Sequence, residues 1–319
     1  MHSKKNLLVI GGDPKIDWYE VFDKEAVNGF PINVEMARWS EISVASYSDS
    51  GSVVLDLFPA KNPTRDQQKQ RRSFTPDFVL VRSATQALHG QDWRNVLFGL
   101  MHANVPSINS LQSLYFCLEK PVVYGKLLQV RNKLGKDKFP LINQTYYSAW
   151  RSMTFPPDFP TVMKIGTAHA GFGKMRITNQ SDYEDFRSVI ALQGRYVTSE
   201  PFIDWDYDIR IQKIGNNYRA FKRVSSNWKG SGMQQKDEDI KVEDRYKLWV
   251  DKASKAIGMD ICALDGVHDK KSGKEFILEL NDSAIGLVKR HAKEDIQNIK
   301  NLVLERMSSI FKSAKKPKK

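Results

Sequence analysis

The stretch that decides the fold is KIGTAHAGFGK (residues 164–174), which holds three glycines and a histidine between two lysines. A strand-like run, FPTVMKIG (159–166), leads into it, and another, KMRIT (174–178), leads out of it. A Walker A loop precedes a helix and ends in Gly-Lys-Ser/Thr, so that motif is excluded. Glycines between two antiparallel strands leave backbone N–H groups open to phosphate oxygens. The stretch therefore predicts a glycine-rich β-hairpin flap over an anionic ligand.

Groups able to bind a nucleotide follow the flap along the chain. EPFI (200–203) ends a strand-like run and suits a hinge against an adenine ring, and Arg210 and Arg223 lie on two later runs. Guanidinium groups bind phosphate oxygens through paired hydrogen bonds. Each feature has a plain structural alternative, since a glycine-rich hairpin is more often an ordinary turn and Arg210 could pair with Asp208 at the surface. Their order along one chain nevertheless indicates a nucleotide site.

Three oxygen-bearing side chains predict a metal site beside the phosphates. Asp265 ends one predicted strand, and Glu279 and Asn281 stand two positions apart on the next, so the latter two share a face. Hard oxygen ligands of this kind suit a phosphate-bound Mg²⁺ or Ca²⁺. Asp265 could instead cap a turn.

The charge balance favours anionic partners. The 319 residues include 49 Lys and Arg against 37 Asp and Glu, a formal net charge of +12. Nucleotides, acidic membrane surfaces and nucleic acid are the classes that such a charge attracts. Two basic runs, 61–72 and 312–319, read as a solvated loop and tail. Aromatic residues are not interleaved with these runs, so specific nucleic-acid binding is not expected.

The cysteines and the apolar runs indicate the compartment. Cys117 and Cys262 lie far apart in apolar surroundings, which gives neither a metal-ligand pair nor a disulfide framework. The N-terminal apolar stretch is too short for a signal peptide. No apolar run reaches membrane-spanning length. We expect a cytoplasmic protein that is soluble or peripherally bound.

The first third of the chain alternates strand-like and helical runs. The strand-like runs are 6–12, 32–39, 52–58 and 77–83, and the helical run is 91–106. This alternation predicts a small α/β domain with a parallel sheet, ending near residue 108. GGDP (11–14) lacks the third glycine of a dinucleotide fingerprint and includes a proline, so it reads as a structural turn.

The remainder predicts a second, larger α/β unit. A helix is expected over 109–135 with Asn109 or Ser110 as its cap, and another after Ser181, which forms a capping box with Glu184. The other expected elements are a hairpin turning at 215–217, a mobile polar segment at 227–242, a helix at 243–258, paired strands at 259–267 and 275–281, and an amphipathic helix at 293–311. The predicted division is 1–108, 109–311 and a basic tail at 312–319.

The order of flap, hinge, arginines and Glu-x-Asn resembles the ATP-grasp fold. Stretches such as KLGKDKFPLINQTYY, AHAGFGK and EPFIDWDYDIRIQKIG narrow the resemblance to the synapsin family, specifically its central ATP-binding domain, over roughly residues 6–311. The resemblance implies a mixed α/β (α+β) chain: a small N-terminal pre-ATP-grasp domain followed by an ATP-grasp fold with a glycine-rich hairpin flap.

The resemblance also implies roles for individual residues. Lys120 and Lys164 resemble the lysines that hold ATP phosphates, and Lys229, in NWK, resembles the lysine of a mobile loop that closes over the nucleotide. The implied nucleotide-binding residues are Lys120, Lys164, Ala170, Gly171, Phe172, Gly173, Lys174, Glu200, Pro201, Phe202, Ile203, Arg210, Arg223 and Lys229. The implied metal ligands are Asp265, Glu279 and Asn281. No catalytic residue is assigned.

Three positions depart from the family pattern. Asn281 stands where many synapsins carry an apolar residue, which makes the site closer to that of an ATP-grasp ligase. Asp265 occupies a position whose charge varies in the family and is linked to calcium dependence, so an acid there favours a metal-assisted site. The loop between Arg223 and Asp244 is shorter than the family pattern.

Two functions follow from the resemblance. In the first, ATP with Mg²⁺ or Ca²⁺ orders the mobile loop and tunes self-association into a homodimer or tetramer. Such a module associates peripherally with acidic vesicle membranes, and with the cytoskeleton, and regulates synaptic-vesicle clustering and neurotransmitter release. In the second, the chain is an ATP-dependent carboxylate–amine ligase that forms an acylphosphate. The sequence identifies no acyl-substrate pocket, so we expect the regulatory module rather than the enzyme.

Overall fold

The computed structural model describes residues 4–59, 70–86, 90–168, 171–224, 228–229 and 236–312. Some sequence predictions fall outside these ranges. They concern residue 170 of the flap, most of the basic run at 61–72, part of the polar segment at 227–242 and nearly all of the basic tail.

The N-terminal part is built from short strands and two helices. Its strands are β1 (Lys5–Ile10), β2 (Ala26–Val27), β3 (Phe30–Ala37), β4 (Ile42–Tyr47), β5 (Ser52–Leu57), β6 (Arg72–Phe74), β7 (Phe78–Val81) and β8 (Ser107–Ile108). Its helices are α1 (Trp18–Val21) and α2 (Arg94–His102).

The predicted parallel sheet is present, but not every predicted strand belongs to it. Its order is β2-β3-β1-β7-β8, with β2 alone antiparallel to its neighbour. The run 52–58 is a strand, as predicted, but β5 pairs with β4 and β6 in a separate antiparallel sheet. Burial alternates along β5, whereas β7 is buried throughout. Alternating burial is typical of an antiparallel sheet with one face exposed to solvent, and continuous burial is typical of a parallel sheet covered on both faces.

The GGDP motif forms the close turn that the sequence indicated. Gly11 has φ +69°, and a Cβ there would stand 2.2 Å from the Cβ of Ser83. Only glycine fits both the backbone conformation and the contact. The motif thus lets β1 end directly against the residues that follow β7.

The second part contains the remaining helices and strands. Its helices are α3 (Leu111–Phe116), α4 (Lys120–Leu134), α5 (Gln180–Gln193), α6 (Asp244–Ile257) and α7 (Ala292–Ile310). Its strands are β9 (Thr145–Tyr147), β10 (Thr161–Ile165), β11 (Lys174–Ile177), β12 (Val197–Pro201), β13 (Trp205–Ile214), β14 (Asn217–Val224), β15 (Lys236–Ile240), β16 (Ile261–Asp269) and β17 (Glu275–Asn281).

Two antiparallel sheets organise this part. The smaller has the order β11-β10-β12-β9, and the larger has the order β15-β14-β13-β16-β17. The flap joins β10 to β11, and the hinge ends β12, so both belong to the smaller sheet. The arginines and acids belong to the larger sheet. The candidate site therefore requires the two sheets to face each other.

Some predicted boundaries are wrong for local reasons. The helix expected over 109–135 is divided into α3 and α4, with Ser110 capping α3 by accepting the Ser113 N–H at 3.2 Å. The cap of α5 is Asn179, which accepts the Asp182 N–H at 3.0 Å, so the capping box at Ser181 is not used. Asp265 lies inside β16 rather than at its end.

Part of the polar segment at 227–242 forms a strand. Residues 236–240 form β15, which pairs with β14 at the edge of the larger sheet. The sequence predicts a mobile segment because these residues show no apolar periodicity. Backbone hydrogen bonds at a sheet edge do not require such periodicity, so residues 236–240 form a strand. The prediction for residues 230–235 lies outside the described residues.

The amphipathic C-terminal helix joins the two parts of the chain. Ile299, Val303 and Met307 of α7 are buried in the same cluster as Leu7 and Val9 of the N-terminal sheet. In the described part of the chain, no helix is long and apolar enough to span a bilayer. The division at residues 108 and 109 stays a proposal.

Candidate functional site

A cleft between the two antiparallel sheets contains two adjoining chambers. One, of about 210 Å³, lies under the flap and hinge and is here called the nucleotide chamber. The other, of about 350 Å³, lies toward the N-terminal part and is here called the second chamber. Lys164, Glu200, Asp265 and Glu279 line both chambers.

The flap places two lysines opposite each other at its base. Lys164 on β10 pairs in register with Lys174 on β11. Gly171 and Gly173 adopt φ values of +81° and +69°, which favour glycine. Gly171 and Lys174 line the nucleotide chamber, whereas the Phe172 side chain is mostly exposed. The two lysines at the ends of the motif are therefore neighbours across the hairpin.

Lys164 is buried in an ion pair with Glu200. Its Nζ lies 2.6 Å from a Glu200 carboxylate oxygen, and the other oxygen accepts a hydrogen bond from Gln144 at 2.9 Å. Burial lowers the pKa of Lys164, but the carboxylates of Glu200 and Glu279 outweigh it and raise that pKa overall. Lys164 is thus a fixed positive charge between the chambers. The Glu200 side chain faces this lysine, and the hinge proper is residues 201–203.

Apolar surfaces surround the hinge. The guanidinium carbon of Arg176 lies 3.9 Å from the centre of the Phe202 ring. The centre of the Trp228 ring lies 6.1 Å from the centre of the same ring. Both Trp228 and the predicted Lys229 line the nucleotide chamber. The other apolar lining residues are Ile142, Val162, Pro201, Ile203, Trp205, Val267 and Leu278. A flat aromatic base fits such a lining.

A row of charges crosses the larger sheet. Arg210, Asp265 and Glu279 are direct neighbours on β13, β16 and β17. Asp265 lies 3.7 Å from Arg210 and 3.4 Å from Arg223, and Glu279 lies 2.7 Å from Lys120 at the start of α4. The structure thus brings together the predicted cations and acids from five separate elements.

The cations keep Glu279 ionised. Burial by itself would raise the pKa of this carboxyl, but Lys120, Lys174 and Lys164 hold it well below its usual range. Burial lowers the pKa of Lys174 on the flap. Glu279 is therefore a permanent negative charge within a group of lysines.

The predicted metal donors lie together. Asn281 donates from Nδ2 to Asp265 at 2.8 Å, and Asp265 and Glu279 are paired across the strands. No three His, Cys, Asp or Glu side chains stand at metal-binding spacing in the described ranges. The donor set is two carboxylates and an amide oxygen. Such a set fits a cation that completes its coordination with phosphate oxygens and water, as Mg²⁺ commonly does.

Asp208 is a site residue that the sequence interpretation missed. It is buried in the nucleotide chamber, not at the surface with Arg210. Its pKa is raised to about 6, chiefly by burial and also by Asp265, while Arg223 and Lys174 oppose the shift. Asp208 and Arg210 stand two positions apart on one strand, and that spacing could have indicated a shared face.

The raised pKa of Asp208 predicts a pH-dependent stability. The folded chain binds this proton more tightly than the unfolded chain, so the free energy of unfolding falls as pH rises from about 4 to 6. Asp208→Asn should raise that free energy above pH 6 by roughly 2–3 kcal/mol, with no gain near pH 4. Urea unfolding across this range measures it. Asp185→Asn, an exposed acid on α5, controls for the lost charge, and an equal gain in that control would contradict the assignment.

The second chamber is a pocket that the sequence interpretation did not identify. Its walls combine residues 84–86 of the N-terminal part, the start of α4, Asn281 at the end of β17, and four of the residues that follow it (Asp282, Ala284, Ile285 and Gly286). Lys120, Arg210 and Asn281 face it together with Thr85 and Tyr196. No sequence pattern could have indicated the chamber, because its walls are distant along the chain. Ala170 is the one predicted site residue outside the described ranges.

Two family models match the chain. The model described as the synapsin ATP-binding domain covers residues 109–309, and the synapsin pre-ATP-grasp domain covers residues 1–107. Synapsin of Drosophila melanogaster is 38% identical over 311 residues. That alignment takes in 95% of this chain but 30% of the Drosophila protein, so the chain spans under a third of that relative.

Solved structures show the same fold at low identity. The ATP-grasp ligase PsnB, complexed with a minimal precursor, has a TM-score of 0.62 at 16% identity, covering 95% of this chain and 99% of PsnB. D-alanine–D-alanine ligase of Bacillus anthracis, complexed with ATP, has a TM-score of 0.57 at 13% identity, covering 96% and 98% of the two chains. The fold is ATP-grasp, preceded by a pre-ATP-grasp domain.

Proposed function

Because the chain belongs to the synapsin family, we propose that it binds ATP with a divalent cation, Mg²⁺ or Ca²⁺, in the cleft. The observation that carries the proposal is a group of cations around the cleft, set against the acids of β16 and β17. These cations are Lys120, Lys164, Lys174, Arg210 and Arg223. Charge-assisted bonds from such groups are the strong contacts that phosphates make with proteins.

The chemistry of the two chambers suggests an orientation for the nucleotide. The adenine ring packs against residues 201–203 and the apolar walls, and the phosphates extend toward the lysines at the base of the flap. Glu279 and Asp265, with the Asn281 amide oxygen, hold the metal. The acids of the site neutralise part of the positive charge of the protein cations. The metal would supply additional positive charge to the phosphates.

Metal and nucleotide are expected to favour each other's binding. Lys120 pairs with Glu279 at 2.7 Å. Phosphates that draw Lys120 away leave the Glu279 carboxylate with fewer cations around it, and a partly buried charge that loses its ion-pair partner is destabilised. A divalent cation that takes the place of Lys120 removes this cost. ATP affinity should therefore depend strongly on the metal.

The proposed output is regulatory. ATP contacts Lys229, and the ordered loop changes contacts between copies of the chain, which tunes assembly into a homodimer or tetramer. The protein then associates peripherally with synaptic vesicles, and with the cytoskeleton, and regulates vesicle clustering and neurotransmitter release. Support for this part comes from family membership and the net charge of +12.

The regulatory proposal is tested with ATP and Lys229→Gln. Titration calorimetry should show ATP binding in the presence of Mg²⁺ or Ca²⁺, and light scattering should show that ATP shifts assembly of the parent chain. Lys229→Gln should lose the ATP-dependent shift. The matched control is Lys222→Gln, which removes a lysine of β14 that stacks over the Tyr207 ring of β13. No ATP binding with either metal would exclude the proposal, and a monomer at every ATP concentration would exclude its assembly half.

Membrane association is tested with liposomes of acidic phospholipid. Attraction by net positive charge predicts binding at low salt that falls steeply as salt screens the surface. Neutral phosphatidylcholine liposomes are the control. Binding that does not change with salt, or no binding at low salt, would contradict the electrostatic proposal.

A ligase is the second candidate, and the second chamber is the observation that favours it. The chamber adjoins the nucleotide chamber through Lys164 and Glu279, so a carboxylate held there would face the ATP phosphates. The carboxylate would take the γ-phosphoryl group of ATP and release ADP, and an amine would then displace phosphate from the acylphosphate to form an amide. ATP turnover, screened with amino acids and small carboxylates, distinguishes the candidates. A substrate that drives rapid turnover, abolished by Lys229→Gln, would replace the regulatory proposal.

A further inference from the structure

Arg82 is a buried arginine that joins the N-terminal sheet to the ligand cleft. It follows β7 and is 6% exposed, and its backbone N–H extends the sheet by donating to Ile10 at 2.9 Å. Its guanidinium extends into the second part of the chain. Nη1 donates to the carbonyl of Ser283, and Nη2 donates to that of Ile285 at 2.9 Å. One side chain thus holds two backbone groups of the segment after β17.

Arg82 lies in buried surroundings beside the cleft. Burial lowers its pKa to about 10, while the carboxylates of Asp282 and Asp295 act in the opposite direction. Asp295 has its own partners, accepting from Gln212 at 2.8 Å and Arg219 at 2.9 Å. Asp282 accepts the Ala284 N–H at 2.9 Å, and burial raises the pKa of its carboxyl although Arg82 opposes the shift.

The two segments that Arg82 connects form facing walls of the second chamber. Residues 84–86 begin two positions after Arg82 and line one wall. The segment after Asn281, which includes the carbonyls that Arg82 holds, lines another through Asp282 and residues 284–286. The second segment begins with Asn281, whose amide donates to Asp265 at 2.8 Å. Arg82 is therefore connected to Asp265 through the short segment that it holds and through Asn281.

The glycine turn makes room for this arginine. A Cβ on Gly12 would lie 3.2 Å from the Cβ of Arg82 and 3.6 Å from the Trp18 indole nitrogen. The GGDP motif, which has no direct part in ligand binding, thus allows Arg82 to reach the cleft.

We propose that Arg82 is a positioning residue for the ligand cleft: its two hydrogen bonds fix the wall that follows Asn281. Without Arg82, the two carbonyls lose their donors and the wall is free to shift. A shifted wall moves Asn281 relative to Asp265 and the cations of the cleft, which weakens ATP binding. This inference rests on the proposed ATP binding, because ATP affinity is its readout.

The test compares ATP affinity, by calorimetry with Mg²⁺, in three variants that are checked for folding by circular dichroism. Arg82→Met should weaken binding about tenfold, because the carbonyls of Ser283 and Ile285 lose their charged donor. Lys300→Met removes another contact between the two parts, the pair with Glu25 at 2.8 Å, and should leave ATP affinity unchanged.

Arg82→Lys, the third variant, carries the test if Arg82→Met does not fold. Its ammonium keeps the charge but does not form the planar fork that reaches both carbonyls, so about a threefold loss is expected. Full affinity in both Arg82 variants would overturn the inference. A parent chain that binds no ATP would instead overturn the proposed function.

Discussion

Lys164→Gln should abolish tight ATP binding. The lysine is buried between the two chambers at the base of the flap, and its hydrogen bonds to phosphate are charge-assisted. Each such bond contributes about 1.5–3 kcal/mol, so the expected loss in affinity is about tenfold to a hundredfold. Calorimetric titration of ATP with Mg²⁺ measures it.

The same substitution leaves Glu200 without its cation, and that consequence must be separated from the loss of binding. Removing one member of a buried ion pair costs about 3–5 kcal/mol of stability. Lys164→Gln with Glu200→Gln removes both charges and should recover most of the stability while ATP binding stays weak. Parent-like affinity in either variant would show that Lys164 does not contact the phosphates.

Glu279→Gln should remove most of the metal dependence of ATP binding. Lys120, Lys174 and Lys164 hold the pKa of this carboxyl well below its usual range, so it is ionised at every working pH. An uncharged amide keeps the shape but loses the charge that the metal requires. The ratio of ATP affinities with Mg²⁺ and with chelator should fall by about tenfold or more, each tenfold being about 1.4 kcal/mol.

A matched control fixes the interpretation of that ratio. Glu184→Gln removes an exposed carboxylate on α5 that pairs with Arg187 at 3.2 Å, and it should leave the ratio unchanged. Ca²⁺ in place of Mg²⁺ shows which cation the site prefers. An unchanged ratio in Glu279→Gln would exclude this residue as the principal metal ligand.

The sequence alone determined the features that depend on near neighbours. The glycines between Lys164 and Lys174 predicted a hairpin flap because backbone freedom is a local property. The turn at 215–217 and the amphipathic period of α7 were predicted for the same reason, and the structure has both. Family resemblance then added Lys120, which no local pattern distinguishes.

The tertiary structure decided what depends on distant parts of the chain. The pairing of Lys120 with Glu279 joins residues 159 positions apart, and Arg82 reaches a carbonyl 201 positions away. The burial of Asp208, the place of β5 in a separate sheet and the second chamber all arise where elements from different regions meet. A sequence pattern reports periodicity and local conformation, but charge pairing and burial depend on how the sheets pack. Packing is therefore what turned a set of separate lysines, arginines and acids into one cleft.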